Sequence, residues 1–213
     1  MKLIFNIFNS IANAFLLLNF ILFLLQFSQR DKAFKIYTIY LGVIIIIQTV
    51  SIAFIKFGYQ NLSVSHFYFT LQFILLSLFF LELNKIEYQK KIIIISLLLI
   101  TAIIILNLIL DKTVLFKLSL LEIVLTSLAI IIFSTFHFYN MLSSKKRFYL
   151  INCGILIYII GSSVPFLMHN LQATYGKEFG RLVANLNVIL YTFYQVLVFI
   201  EWKVNFSKKE YEG

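Results

Sequence analysis

The chain has 213 residues, of which 61% are apolar and 13% charged, and its formal net charge is +9. Soluble domains carry about 45–50% apolar and about 25% charged residues, so this composition excludes an ordinary water-soluble enzyme. One proline and seven glycines exclude a disordered or collagen-like chain. A single cysteine excludes a disulfide framework and a multi-cysteine metal site.

The positive net charge does not indicate a nucleic-acid partner. The basic residues stand in small groups between long apolar runs, as in the group Lys145-Lys146-Arg147. Groups of this kind set the orientation of membrane proteins and lie against anionic lipid headgroups. We therefore expect the partner of this surface to be the lipid bilayer and not a nucleic acid.

Several stretches of the chain are long and apolar enough to cross a bilayer, which takes about 20 residues of helix. There are seven of them: 5–27, 36–55, 66–83, 92–110, 115–139, 148–169 and 182–202. The longest hydrophilic connection is 170–181. The pattern predicts an all-α, polytopic membrane protein, in which residues 1–202 form a bundle of seven transmembrane helices and residues 203–213 a short basic tail.

Lysine and arginine are distributed unequally between the two sides of the predicted bundle. The first, third and fifth connections and the tail carry 12 of them, and the opposite side carries 6. Because positively charged connections stay in the cytoplasm, the N-terminus is predicted outside and the C-terminus in the cytoplasm. The expected location is the bacterial inner (cytoplasmic) membrane.

Common catalytic motifs are missing from the sequence, which has no glycine-rich phosphate loop, no HExxH and no GxSxG. Of the three histidines, His66 and His169 are expected near the outer face and His137 near the inner face, so they cannot share one metal ion. We predict no catalytic residue, no metal site and no cofactor. These absences favour a protein that is not an enzyme, although they leave the question open.

Polar residues inside apolar spans are costly and therefore informative. Those of the predicted spans concentrate in the outer halves, several of them roughly 10 Å below the outer surface at about 1.5 Å per residue. They could be hydrogen-bonding contacts between helices, or they could line an outward-facing cavity that binds a small ligand. The candidate ligand-binding residues are Asn9, Asn13, Gln72, Glu122, Ser162, His169, Asn187, Tyr191 and Gln195.

Glu122 is the one carboxylate deep inside a predicted span. An ionised group at mid-membrane costs on the order of 3 kcal/mol, so Glu122 is expected to face the bundle and not the lipid. Its expected neighbours are Tyr191, Gln195 or the face that carries Asn9 and Asn13. There it would bind a cationic or hydrogen-bonding ligand or sense protons. The alternative is a neutral side chain that only bonds a neighbouring helix.

Two stretches carry a resemblance to a known class of protein. Residues 151–162 (INCGILIYIIGS) and 185–191 (NLNVILY), which run on to Trp202, resemble the last two helices of seven-span input regions associated with bacterial sensor histidine kinases. The resemblance implies a sensory or signalling module of the inner membrane. Because these residues include no phosphoacceptor or ATP-binding part, we expect the protein to act through a membrane partner such as a kinase, or as a homo-oligomer.

The sequence thus favours a sensory or signalling subunit that binds a small ligand in an outward-facing intramembrane cavity. Two alternatives stay open. One is a small membrane enzyme of the lipid hydrolase type, and the other is a pore, a carrier or an accessory membrane protein of a defence system. Lipid turnover by the purified protein would indicate the first alternative, and conductance or transport in liposomes the second.

Overall fold

The structure is a computed structural model, and it describes residues 2–59, 61–143, 146–169 and 172–207, without the side chains of residues 2–4, 164–169, 172–175 and 177. Helices make up 89% of it, and no strand occurs within these ranges. The prediction of an all-α fold is confirmed.

Seven α-helices follow one another within the described residues. They are α1 (Lys2–Leu25), α2 (Lys32–Lys56), α3 (Leu62–Leu83), α4 (Glu87–Leu110), α5 (Leu120–Met141), α6 (Tyr149–His169) and α7 (Gln172–Glu201). Each overlaps one of the predicted apolar stretches. Six are long and apolar enough to cross a membrane, and the described apolar part of α6, Tyr149–Ser163, is shorter. The length and composition of these helices indicate a multi-pass membrane protein.

Several predicted boundaries differ from the observed ones, and two of the differences involve a change of local structure. The fifth span was expected to begin at residue 115, but Lys112–Phe116 form a short 3₁₀ helix and α5 begins only at Leu120. Residues 170–181 were expected to form a loop, but α7 already begins at Gln172, and Gly176 interrupts it with a left-handed backbone (φ 83°, ψ 176°) that glycine adopts at little cost. At its other end α7 continues beyond Trp202, as a π-helix that ends at Phe206.

The chain divides into two compact units, residues 27–136 and residues 1–26 with 137–213, so the boundary falls within α5. In the first of these, α2 packs against α3 through buried aromatic rings. Tyr37 lies 5.6 Å from Tyr40 and 5.2 Å from Phe79, measured between ring centroids. At the edge of this contact, Lys32 of α2 forms an ion pair with Glu82 of α3.

In the other unit, α7 packs against α1 and α6. Glycines let α6 and α7 approach closely, because a Cβ atom at Gly154 would lie only 2.7 Å from the Tyr194 ring. That ring stacks on Tyr158 of α6 with centroids 5.7 Å apart and planes 10° from parallel, and Tyr191 lies against Tyr158 at 5.4 Å. The interface between α6 and α7 is therefore both tight and aromatic.

Candidate functional site

The most strongly polar contact in the unit of residues 27–136 joins α3 to α5. His66 Nδ1 lies 2.5 Å from Glu122 Oε2, and the second oxygen, Oε1, accepts a hydrogen bond of 2.8 Å from the Thr70 hydroxyl. His66 is 3% exposed and Glu122 2% exposed. His66 and Thr70 are one helical turn apart, so both reach the same carboxyl group. We call His66, Thr70 and Glu122 the α3–α5 polar centre.

The other ring nitrogen of His66 determines where its proton lies. His66 Nε2 is 2.9 Å from the carbonyl oxygen of Val114 and 3.0 Å from that of Lys117. Carbonyl oxygens only accept hydrogen bonds, so Nε2 must carry a hydrogen. Between Nδ1 and Glu122 one further proton is shared, whether it belongs to an imidazolium beside a carboxylate or to a carboxylic acid beside a neutral imidazole. In either form the His66–Glu122 pair is electrically neutral as a whole.

The start of α5 explains why Glu122 is free to reach across to α3. The stretch from Ser119 to Glu122 has the spacing of a capping box, in which a serine and a glutamate three residues later satisfy the N–H groups of a helix start. The Ser119 hydroxyl accepts a hydrogen bond from the backbone N–H of Glu122 at 3.3 Å, as a capping box requires. The Glu122 carboxyl group instead bonds His66 and Thr70. Glu122, which the capping-box spacing places at the start of α5, therefore makes a long-range contact with α3.

The same contacts restrict the chemistry that the centre can perform. A general base or metal ligand needs a nitrogen or oxygen lone pair that can reach a substrate or an ion. Both ring nitrogens of His66 and both oxygens of Glu122 are engaged within the protein. The arrangement holds the connection between α4 and α5 against α3.

The expected neighbours of Glu122 were Tyr191, Gln195 or the face of Asn9 and Asn13, and its observed partners on α3 were not foreseen. His66 was expected near the outer face and was not named among the neighbours of Glu122. The first turn of α3 is nevertheless buried at His66. The signals that could have found the pair are the one-turn spacing of His66 and Thr70 and the capping box at the start of α5.

The other candidate residue in this unit, Gln72, is buried on α3. Its amide nitrogen lies 3.2 Å from the Tyr40 hydroxyl of α2 and 3.3 Å from the Tyr68 hydroxyl. Gln72 therefore takes part in a hydrogen bond between α2 and α3.

The remaining candidates lie in the unit of residues 1–26 and 137–213. Ser162, Tyr191 and Gln195 are buried, and Asn9, Asn13 and Asn187 are half-buried. The side chain of His169 lies outside the described residues. Ser162 donates a hydrogen bond within α6 to the carbonyl of Ile159 at 3.4 Å.

Asn19 and Glu201 are buried polar residues of this unit that were not among the candidates. Asn19 of α1 donates to Gln195 of α7, at 2.9 Å to the backbone oxygen and 3.0 Å to the side-chain oxygen. Glu201, at the end of α7, is fully buried. Asn19 lies six residues after Asn13 on α1. Glu201 precedes Trp202, where a charged residue is expected at the membrane surface.

Among the described residues, no three His, Cys, Asp or Glu side chains are grouped as ligands for a metal ion. No protein-family model, curated protein or solved structure matched the chain. The resemblance to kinase-associated input regions therefore stays a prediction.

Proposed function

We propose that this protein is a multi-pass sensory subunit of the bacterial inner membrane, and that the α3–α5 polar centre is its sensing element. In the proposed topology seven helices span the membrane, with the N-terminus outside. The starts of α3 and α5 then lie near the outer surface. A small cationic or hydrogen-bonding ligand arriving from outside would compete with His66 for the Glu122 carboxyl group.

The observation that carries this proposal is the burial of an ionisable pair inside two apolar helices. Ionisable residues within membrane helices are rare and most often mark functional sites. A contact that served only to hold helices together could be made by neutral side chains such as those of Gln72 and Tyr40. The His66–Glu122 pair instead combines a carboxyl group, an imidazole and a shared proton, which a cation can displace.

Displacement would have a structural consequence. The ring of His66 binds Glu122 through Nδ1 and holds the carbonyl oxygens of Val114 and Lys117 through Nε2. If a ligand draws Glu122 away, the orientation of this ring is no longer fixed. The 3₁₀ segment Lys112–Phe116 and the start of α5 would then shift relative to α3. A membrane partner that contacts α5 would read this shift as the signal.

The engaged state of His66 is the reason for preferring this function to hydrolysis. A hydrolytic centre would need His66 or Glu122 to activate water, and both groups already bond protein atoms. Lipid turnover by the purified protein, or conductance in liposomes that contain it, would favour the enzyme or the pore instead.

The proposal is tested by replacing the native gene with a Glu122→Gln allele and measuring genome-wide transcript levels. Glutamine keeps the shape of the side chain but cannot carry the charge. A sensory subunit predicts that Glu122→Gln and His66→Gln change the same set of transcripts, and that deletion of the gene changes this set as well. The matched control is Glu87→Gln, which alters an exposed carboxylate in the first turn of α4.

The comparison requires that each variant accumulates in the membrane at the level of the wild-type protein. If Glu122→Gln meets that condition and leaves every transcript unchanged while deletion changes many, the α3–α5 polar centre is not the sensing element. If deletion changes none, the protein has no signalling role under the conditions used.

A further inference from the structure

A second buried carboxylate, that of Glu201, binds the start of another helix. Glu201 Oε2 accepts the backbone N–H of Leu150 at 2.7 Å. From its own side, the amide of Asn205 donates to Oε1 at 2.7 Å. The carboxyl group thus closes the first turn of α6 from the end of α7.

This arrangement is electrostatically favourable although all of these donors are neutral. The first N–H groups of a helix have no partners within it and carry a partial positive charge. A carboxylate placed there is stabilised without a lysine or arginine. Serine or aspartate usually supplies this cap from the residue just before the helix. In this protein the cap comes from a residue 51 positions later in the chain.

Two unusual backbone features adjoin Glu201. Phe148, just before α6, has a positive φ of 56°, which a residue with a bulky side chain adopts only when its surroundings enforce it. Directly after Glu201 the chain continues as the π-helix Trp202–Phe206, a rare form that occurs frequently at functional sites. Phe206 then packs on Phe148, with ring centroids 5.0 Å apart.

We propose that Glu201 is a releasable latch between the two helices. While its carboxyl group caps α6, it holds Phe148 in the strained conformation and keeps the π-helix packed on it. When the cap is lost, Phe148 can relax, the first turn of α6 opens, and the chain that follows α7 is freed. The latch is a conformational device of the unit of residues 1–26 and 137–213, and it does not depend on the function proposed for the α3–α5 polar centre.

The only cysteine of the chain provides a local reporter. Cys153 lies one turn into α6 and is half-buried. The experiment measures the rate at which N-ethylmaleimide alkylates Cys153 in membranes that contain the wild-type protein, Glu201→Gln or Asn205→Asp. Local opening exposes a half-buried thiol more fully, so a released latch should raise the rate about tenfold or more.

The two variants separate opening from a direct effect of charge. Glu201→Gln removes a negative charge and leaves one acceptor oxygen where the carboxylate has two, so it cannot accept from both Leu150 and Asn205. Asn205→Asp adds a negative charge and sets a second carboxylate against Glu201. A latch predicts faster alkylation in both variants, whereas a purely electrostatic influence on the thiol predicts opposite changes.

Glu87→Gln should leave the rate unchanged, because it alters an exposed carboxylate on α4. If Glu201→Gln does not accumulate in the membrane, Asn205→Asp decides alone, since it retains Glu201. Rates within twofold of wild type in the folded variants, or opposite changes in the two, would overturn the proposal.

Discussion

His66 Nδ1 and Glu122 Oε2 meet 2.5 Å apart in the first turns of α3 and α5, and a single proton between them makes the pair neutral. Two buried groups that share a proton in this way depend on each other. Removing either one leaves the other without its partner in an apolar environment, where an unpaired polar or charged group is costly. The free energy of unfolding should therefore respond to the two residues jointly.

A double-mutant cycle on this pair should reveal strong coupling. We expect His66→Leu and Glu122→Leu each to lower the free energy of unfolding by about 3 kcal/mol, the range seen when one partner of a buried pair is removed. The double variant should lose less than the sum, with a coupling energy of about 2 kcal/mol. Unfolding in detergent micelles, followed by circular dichroism, measures all four proteins. Effects that add within about 0.5 kcal/mol would show that the two side chains do not act together.

Two glycines of α6 should differ in their tolerance of alanine. A Cβ atom at Gly154 would lie 2.7 Å from the ring of Tyr194, which is buried and stacked on Tyr158. At Gly161 it would lie 2.6 Å from a terminal methyl group of Leu190, which can rotate away. Gly154→Ala should therefore lower the free energy of unfolding by about 1–3 kcal/mol. Gly161→Ala should be nearly neutral, because alanine also favours the helix by about 0.5–1 kcal/mol.

Thermal unfolding of the two variants in the same detergent makes this comparison. Equal destabilisation by both substitutions, or a larger loss at Gly161, would contradict the packing of α6 on α7 described above.

The turn formed by Asp111 and Thr113 after α4 should remain folded at acidic pH. The hydroxyl and the backbone N–H of Thr113 both bond the Asp111 carboxylate, and they hold the pKa of Asp111 below its ordinary value of 3.8. A lowered pKa means that the folded turn favours the ionised form. Its contribution is complete above the ordinary pKa and is lost as the pH falls through the lower folded value.

The chemical shift of the Asp111 side-chain carboxyl carbon, followed by NMR against pH, measures this midpoint. Thr113→Val removes the hydroxyl and keeps the backbone N–H, so the midpoint should rise but stay below 3.8. A wild-type midpoint at or above 3.8, or no change in Thr113→Val, would exclude this account of the turn.

Reporter fusions should establish the orientation. The excess of lysine and arginine in alternate connections predicts that the C-terminus is cytoplasmic. A protein that fluoresces only in the cytoplasm should be bright when fused after Gly213 and dark when fused after Gly58, in the connection between α2 and α3. The reverse pattern would invert the topology and place the starts of α3 and α5 on the cytoplasmic side.

The sequence predicts the helices of this protein better than their contacts. A membrane helix is recognised from the length of its apolar stretch, which does not depend on its neighbours, and the seven stretches each overlap a helix. A predicted helix boundary is wrong where a local feature of the sequence, such as a helix cap, and the length of the apolar stretch favour different helix starts. At the start of α5, the cap at Ser119 and not the apolar residues before it decides where the helix begins.

Partners of buried polar groups were harder to predict, because helical periodicity shows which residues share a face but not which helix lies opposite. Glu122 was singled out by its cost in a membrane and is buried, but its partners on α3 were not predicted. Gln195 was expected to line a cavity together with the other candidates. In the structure it accepts a hydrogen bond from Asn19, which was not among the candidates on α1. The pairing of helices is decided by packing over the whole chain, and no single stretch of sequence encodes it.

The state of the His66 ring tests the central claim most directly. Nitrogen NMR of protein labelled with ¹⁵N-histidine, reconstituted in bilayers, reports whether each ring nitrogen carries a hydrogen, and the His66→Gln variant assigns the His66 signals. The α3–α5 polar centre predicts a protonated Nε2, bonded to carbonyl oxygens, in both the wild type and Glu122→Gln. The Nδ1 signal should move much more than the Nε2 signal, because the proton shared with Glu122 is lost. A His66 whose Nε2 carries no hydrogen, or whose Nδ1 signal is unchanged by Glu122→Gln, would contradict the pairing of these two residues and the sensing element built on it.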